Sequence, residues 1–401
     1  MEQKFEQLPS SINGNADWHK LKTAIQGWGK ELGFSHTAVS DINLEKTQTR
    51  LNDWLEQGFH GDMDYMQKHG SRRTHPDQLI PGTLRVITVR MDYLTEPMDQ
   101  AITVLQQADK GYVSRYALGR DYHKVMRQRL KALAGNIHRR MQRDFRDNHA
   151  TLGNWKDYRV FCDSAPVMEK ALAEKSGHGW IGKHTNLINR TEGSWFFLGE
   201  LYTNLPLPVD SPTTDHCGSC QACINVCPTD AIIAPYQLDA RKCISYLTIE
   251  HHGSIPIELR AKIGNRIYGC DDCQLVCPWN RYAKPTAEAD FKSRHQLDNM
   301  GLSALFNWSK EAFLKRTEGS AIRRIGYQRW LRNIAVAMGN APNSGQTMET
   351  LRNASNHSDL LVREHVQWAL ENQLKPASQT TNKRNHIFPK PPRRAPAHHS
   401  N

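Results

Sequence analysis

Residues 216–228 read His-Cys-Gly-Ser-Cys-Gln-Ala-Cys-Ile-Asn-Val-Cys-Pro, and this stretch decides the architecture. Two residues separate Cys217 from Cys220 and Cys220 from Cys223. Three more separate Cys223 from Cys227, and Pro228 then turns the chain away. Such short loops let three thiolates take three corners of one cubane while the fourth reaches across to a second cluster. A partner set follows: Cys243, then Cys270, Cys273 and Cys277, the last again followed by proline. It lacks one tight step, and Cys243 supplies that ligand from a distance. Crossed ligation predicts one 4Fe–4S cluster on Cys217, Cys220, Cys223 and Cys277, and another on Cys227, Cys243, Cys270 and Cys273. Structural zinc fits poorly, because it usually takes two separated Cys-x2-Cys pairs. The ninth cysteine, Cys162, lies far upstream in an expected strand and reads as a small buried hydrophobe.

Outward from this module the chain changes character. Residues 1–14 are polar and expected to be loose. Residues 15–204 alternate helical and strand patterns, with helices over 18–32, 47–69, 122–147 and 167–176. Strands are expected over 84–89, 159–161, 185–188 and 195–202. The proline-rich run 205–212 breaks that pattern, so the cysteine module is assigned to 205–285. Helical periodicity returns over 321–338 and 360–370, giving a 286–374 domain of HEAT-like helix pairs. Residues 375–401 are basic and proline-rich, and are expected to stay disordered. The fold class is thus α+β: an N-terminal α/β domain, a two-cluster module and C-terminal helices.

The 401 residues carry 52 Lys and Arg against 41 Asp and Glu, a net charge of +11. An excess of this sign suits a polyanionic partner, nucleic acid first among them, or simply a solvated surface. The N-terminal stretch has no apolar signal core and no twin arginine, and no window has the roughly 18 apolar residues of a membrane span. The expectation is a cytoplasmic chain without membrane contact, where crowded thiols bind metal rather than pair as disulfides.

Two clusters form an electron wire, and a whole domain precedes them, so that domain is expected to consume the electrons. Gly177-His-Gly179-Trp-Ile-Gly182-Lys183-His184 imitates a phosphate-binding loop. His184 stands where a magnesium-binding hydroxyl belongs, and a strand rather than a helix follows. The glycines instead suggest close approach of the backbone to a flat or bulky ligand. Asp121-Tyr-His123 opens like a cobalamin-binding D-x-H-x-x-G motif, but Met126 fills the glycine position, and an exposed helix start is the better reading. Asp163, at the end of the 159–161 strand, is either a cap for the next helix or a general acid beside a pocket.

The joint occurrence of YRVFCD (158–163), EKSGHGWIGKHTNL (174–187), CGSCQACINVCPTDAI (217–232), CISYLT (243–248) and KIGNRIYGCDDCQLVCPWN (262–280) resembles the epoxyqueuosine reductase family. The resemblance spans about residues 18–374. It implies a cobalamin-binding catalytic domain, akin to that of reductive dehalogenases, joined to a two-cluster ferredoxin-type module. The implied reaction is the last step of queuosine synthesis, reduction of epoxyqueuosine at the wobble position of tRNA. Electrons would come from an unidentified low-potential donor through the clusters to cobalt, and the oxygen would leave as water. By motif, Asp163 resembles the family's proton donor. Arg73, Asp163, Leu187, Leu198 and Ser245 fall at cobalamin-contact positions, as does Ser114, which stands where some relatives have cysteine. The resemblance also gives the basic excess a use, with Arg115, Lys262 and Arg266 as candidate grips on tRNA phosphates. A monomer is expected. The rival readings are a dehalogenase-like corrinoid enzyme acting on a small molecule, and a non-catalytic iron–sulfur electron carrier.

Overall fold

A computed structural model describes residues 4–5, 17–144 and 155–375. Its N-terminal half is built on a four-stranded sheet: β1 (His36–Ser40), β2 (Arg85–Asp92), β3 (Tyr158–Phe161) and β4 (Phe196–Thr203). The strand order is β1-β2-β4-β3, with every neighbouring pair antiparallel. β4 is buried along its whole length, and β2 along all but its end residues. That burial accounts for their near-continuous apolar sequences, where a half-solvated strand would alternate.

Helices α1 (Trp18–Glu31), α3 (Tyr122–Asp144) and α4 (Glu169–Lys175) cover the sheet, while α2 (Glu45–Glu56) turns toward the cysteine module, its Trp54 Nε1 donating to the Leu238 carbonyl at 2.7 Å. α3 buries Val125, Met126, Leu130, Leu133, Ala134, Ile137 and Met141, a stripe at helical spacing. These meet Leu21 and Ile25 of α1 and Ile87, Val89 and Leu201 of the sheet in one core. Each large side chain buried there contributes about 1.5–3 kcal/mol. The start of α3 is held by Asp121, whose Oδ1 accepts the His123 backbone N–H at 3.2 Å.

The cysteine module shares its core with the C-terminal helices α5 (Gly326–Asn340), α6 (Gly345–Asn353) and α7 (Leu360–Gln373). Ile244, Leu247, Ile263 and Ile267 pack among Trp330, Leu331, Ile334, Val362 and Val366. Two buried polar residues of α5 fix the register. Asn333 Nδ2 donates to the Thr248 and Ile267 carbonyls at 2.8 and 2.9 Å. Arg332 donates to the Leu247, His251 and Gly253 carbonyls at 2.7–2.8 Å. The short strand Tyr112–Val113 pairs in parallel with Arg266–Tyr268, stitching the N-terminal half to the module. No described helix is long and apolar enough to cross a membrane.

The structure corrects several expectations. The helix expected over 47–69 ends at Glu56, after which Gly58 and Gly61 turn the chain at φ 64° and 57°. A Cβ on Gly61 would lie 2.4 Å from the Tyr246 hydroxyl, so the glycine also admits the cysteine module. Strand β1 had not been anticipated. Within the N-terminal segment expected to be loose, Phe5 is fully buried, donating its N–H to the Pro81 carbonyl at 2.7 Å and packing with Ile80, Val86 and Tyr202. The expected tail falls outside the described residues, apart from Lys375, as does the end of the helix expected to reach 147.

Candidate active site

Between the sheet and the cysteine module lies a cavity of about 400 Å³. Its wall is largely apolar, with Tyr116, Leu187, Phe196, Phe197 and Leu198, and Asp163, Glu169 and Lys170 gather on one side. Cys227, Cys243, Cys270 and Cys273 line the same cavity. A second cavity of about 240 Å³ is lined by Cys217, Cys220, Cys223 and Cys277. Four cysteines thus line each cavity, with Cys277 beside Cys217, Cys220 and Cys223. Among the described residues, no three Cys, His, Asp or Glu side chains converge tightly enough to hold a single metal ion. His184 lies in the walls of both cavities, and its Nε2 is buried with no hydrogen-bond partner. Burial, with the Lys170 charge, pushes that imidazole down to about 4, so it is neutral at pH 7.

Asp163 directly follows the buried Cys162 at the end of β3 and adopts φ 54°, a left-handed conformation that costs a non-glycine residue energy. Its side chain is half exposed, into the cavity. Oδ2 accepts the Tyr122 hydroxyl and lies 3.0 Å from His123 Nε2. The Asp163 backbone N–H donates to Glu169 Oε2 at 3.0 Å, and Arg127 holds the neighbouring Ser164 hydroxyl at 2.6 Å. Burial works to raise the Asp163 carboxyl, but the His123 and Tyr122 hydrogen bonds outweigh it and hold it below the usual range. Glu169 moves oppositely: burial, then the Asp163 charge, pushes it up to about 8.

The other residues singled out by sequence separate clearly. Ser114, Leu187, Leu198 and Ser245 line the large cavity with Asp163. Ser114 Oγ donates to Asp271 Oδ1 at 2.5 Å. Arg73 is buried outside that wall, donating to the Tyr65 carbonyl at 2.7 Å, with its Nε unpartnered. Arg115 and Arg266 are buried as well, so they are not surface grips for phosphate. Arg115 donates to the Val113 carbonyl at 3.0 Å, and Arg266 pairs with Asp272 through Nε at 2.8 Å. Lys262 remains about half exposed. At the glycine loop the close approach is to the chain itself: a Cβ on Gly179 would sit 2.0 Å from the Ile188 carbonyl oxygen. Its glycines instead let Trp180–Ile181 pair tightly with Leu187–Ile188. The exposed helix start expected at Asp121 and His123 is also overturned, because both residues are buried.

Residues 73–164 match the family model for epoxyqueuosine reductase QueG, and residues 216–280 match the 4Fe–4S double cluster binding domain. Epoxyqueuosine reductase of Pseudomonas aeruginosa is 55% identical over 353 residues, 88% of this chain and 94% of that protein. The Escherichia coli enzyme is 52% identical over 359 residues, 89% of this chain and 91% of that one. This chain belongs to the epoxyqueuosine reductase family. It is accordingly an oxidoreductase of queuosine biosynthesis, with a mixed α+β fold and a double-cluster domain.

Solved epoxyqueuosine reductases have the same fold. The Bacillus subtilis structure, with its catalytic aspartate loop swung out of the active site, matches at TM-score 0.77 and 26% identity, covering 90% of this chain and 92% of that one. The Streptococcus thermophilus structure matches equally well, covering 88% and 91%. Around Asp163, sequence reasoning had missed Tyr122, His123, Glu169 and Arg324. Arg324, which precedes α5, donates through Nη2 to both oxygens of Asp121 at 3.0 Å. No local pattern connects positions so far apart in the chain. The Asp-Tyr-His triplet was a visible signal, but it was weighed only as a cobalt-ligand motif.

Proposed function

We propose that this chain reduces epoxyqueuosine to queuosine in tRNA, with electrons passing through two 4Fe–4S clusters to a cobalamin in the large cavity. The observation that carries this reading is the shared wall. The cysteines of one set and the carboxylate expected to handle protons line the same cavity, while the other set lies next door. Electrons would enter near exposed Cys220 from a low-potential donor and cross toward Cys243 and Cys273.

The residues present fit a corrinoid. The cavity wall is largely apolar, and His184 Nε2 is a buried polar atom still lacking a partner. Ser114, Leu187, Leu198 and Ser245 would hold the group, which supplies low-potential cobalt to reduce the epoxide. Arg73, with its Nε unpartnered, would reach the group from outside this lining. Asp163 would pass a proton to the epoxide oxygen, so that the oxygen leaves as water. The C-terminal helix pairs are read as HEAT-like, and with the basic surface they would seat the tRNA. The enzyme is expected to act as a monomer.

The test is mass spectrometry of nucleosides from epoxyqueuosine tRNA incubated anaerobically with reconstituted, cobalamin-loaded protein and a strong reductant. Wild type should yield queuosine. Asp163→Asn should lose about 10²-fold or more in single-turnover rate, the range for a positioned acid, with metal and corrinoid content unchanged. Absence of queuosine with fully loaded wild type would defeat the proposal.

A further inference from the structure

Asp163 is held in the wrong charge state for a proton donor. Both groups that reach Oδ2, the Tyr122 hydroxyl and His123 Nε2, can donate to it, and donors favour a carboxylate. A carboxylate has no proton to give, so one must arrive from a neighbour during the reaction.

The geometry continues past Asp163. His123 Nδ1 lies 2.8 Å from Asp121 Oδ1, and Asp121 in turn accepts both 3.0 Å bonds from Arg324. The imidazole therefore sits between two carboxylates, 3% exposed, and packs against Tyr122 with ring centroids 3.9 Å apart and the planes tilted by 35°. We propose that Arg324, Asp121 and His123 form a relay that supplies Asp163 with the proton it hands to the departing oxygen. This rests on the reduction proposed above.

The balance closes as follows. Converting an epoxide to an alkene breaks both C–O bonds and takes up two electrons and two protons, releasing water. The electrons arrive through the clusters. As the first C–O bond breaks, Asp163 takes the proton from His123 Nε2 and passes it to the oxygen, so that Asp163 returns to the carboxylate and leaves a neutral imidazole whose Nδ1–H still bonds Asp121. The second proton comes from solvent water, as does the proton that reloads His123 after release.

The charges around His123 support this storage role. Asp121 and Asp163 favour the imidazolium, and Arg324 opposes it, its Nη1 and Nη2 lying 3.1 and 2.8 Å from the two ring nitrogens. Glu169 lies beyond Asp163, and Glu250 and Arg329 face the Arg324 side. Burial alone would lower the imidazole, yet the two carboxylates prevail and raise it above its ordinary value. His123 does not line the cavity, so it acts through Asp163 as a positioning residue.

The experiment measures single-turnover conversion against pH with pre-reduced holoenzyme, for wild type, His123→Gln and Asp121→Asn. Wild type should lose rate as pH rises through the imidazole titration. His123→Gln should be slower by about 10²-fold at pH 7, lack that limb, and recover rate with added imidazole. Asp121→Asn should move the limb to lower pH, because an anionic neighbour is gone. Independently of turnover, the infrared carboxyl band assigned to Asp163 by difference from Asp163→Asn should persist to higher pH in His123→Gln. An unchanged pH profile and carboxyl band in His123→Gln, or a slower rate without loss of the limb, would overturn the relay. Failure of wild type to make queuosine would instead count against the parent reading.

Discussion

Asp163 and Glu169 line one cavity wall, and only Asp163 is ionised at neutral pH. Two carboxylates this close do not ionise together cheaply, and the one denied strong donors keeps its proton. The consequence for stability has a definite sign. Glu169 titrates near 8 when folded and near 4.5 when unfolded, so between those values the unfolded chain sheds a proton that the folded chain retains. Its contribution is therefore complete below about pH 4.5 and is lost as pH rises toward 8. Glu169→Gln removes this penalty and keeps an oxygen to accept the Asp163 N–H. Because the residue lines an open cavity, the gain at pH 8 is only about 1–2 kcal/mol after solvent screening. Calorimetry of the apoprotein should show the variant melting a few degrees higher at pH 8, with the gap closing toward pH 5. An equal gap at both pH values would mean that Glu169 is ionised throughout. Asp163 itself was legible in the sequence as a carboxylate ending a strand. Its neighbours were not, because His123 and Arg324 meet it only through tertiary packing.

At the level of elements, the strand pairing of Tyr112–Val113 with Arg266–Tyr268 is secured by Asp271. This buried carboxylate accepts Tyr112 Oη at 2.7 Å, Ser114 Oγ at 2.5 Å and the Arg115 N–H at 2.8 Å. Asp271→Ala strands three buried donors, at a cost of about 3 kcal/mol or more. Its urea midpoint should fall, and iron should be lost with it, because Cys270 and Cys273 flank the site. A normal iron content at the lowered midpoint would show that Asp271 serves stability alone. The seam between α7 and the cysteine module is sensitive to acid. His365 is fully buried, its Nε2 accepting the Ile255 N–H at 3.1 Å and its Nδ1 lying 2.7 Å from the Leu361 carbonyl. Burial, with the Arg260 charge, lowers it to about 4. Between pH 6.5 and 4 the unfolded chain gains a proton that the folded chain refuses, so stability falls with pH across that window, by roughly 3 kcal/mol. His365→Gln should flatten this slope in urea titrations at pH 4.5 and 7. The apolar periodicity of α5 and α7 was plain in the sequence, whereas the end of α2 was hidden. The chain turns at Gly58, φ 64°, and then at Gly61, which yields space to Tyr246, and periodicity cannot register a contact with so distant a residue.

For the molecule as a whole, the cysteine spacing carried the architecture because ligand geometry is local and leaves few arrangements open. What spacing could not convey is that the second set shares a cavity with Asp163, since that depends on how the module docks on the sheet. The division of lining residues gives the crossed arrangement a sharp consequence. Cys277 lines the cavity of Cys217, Cys220 and Cys223, although Cys270 and Cys273, just before it, line the other. If ligation followed chain order, Cys217 and Cys277 would serve different clusters, and replacing both with serine would damage two. With crossing, the Cys217→Ser/Cys277→Ser pair damages one cluster and should retain about half of the wild-type iron. The Cys217→Ser/Cys273→Ser pair damages both and should retain almost none. Iron analysis and low-temperature electron paramagnetic resonance of the reduced proteins read this directly. The first pair should keep the signal of the cluster nearer Asp163, and the second should keep neither. Almost no iron in both pairs would replace crossing with sequential ligation, and would remove the reason for placing the Cys217 cluster away from Asp163.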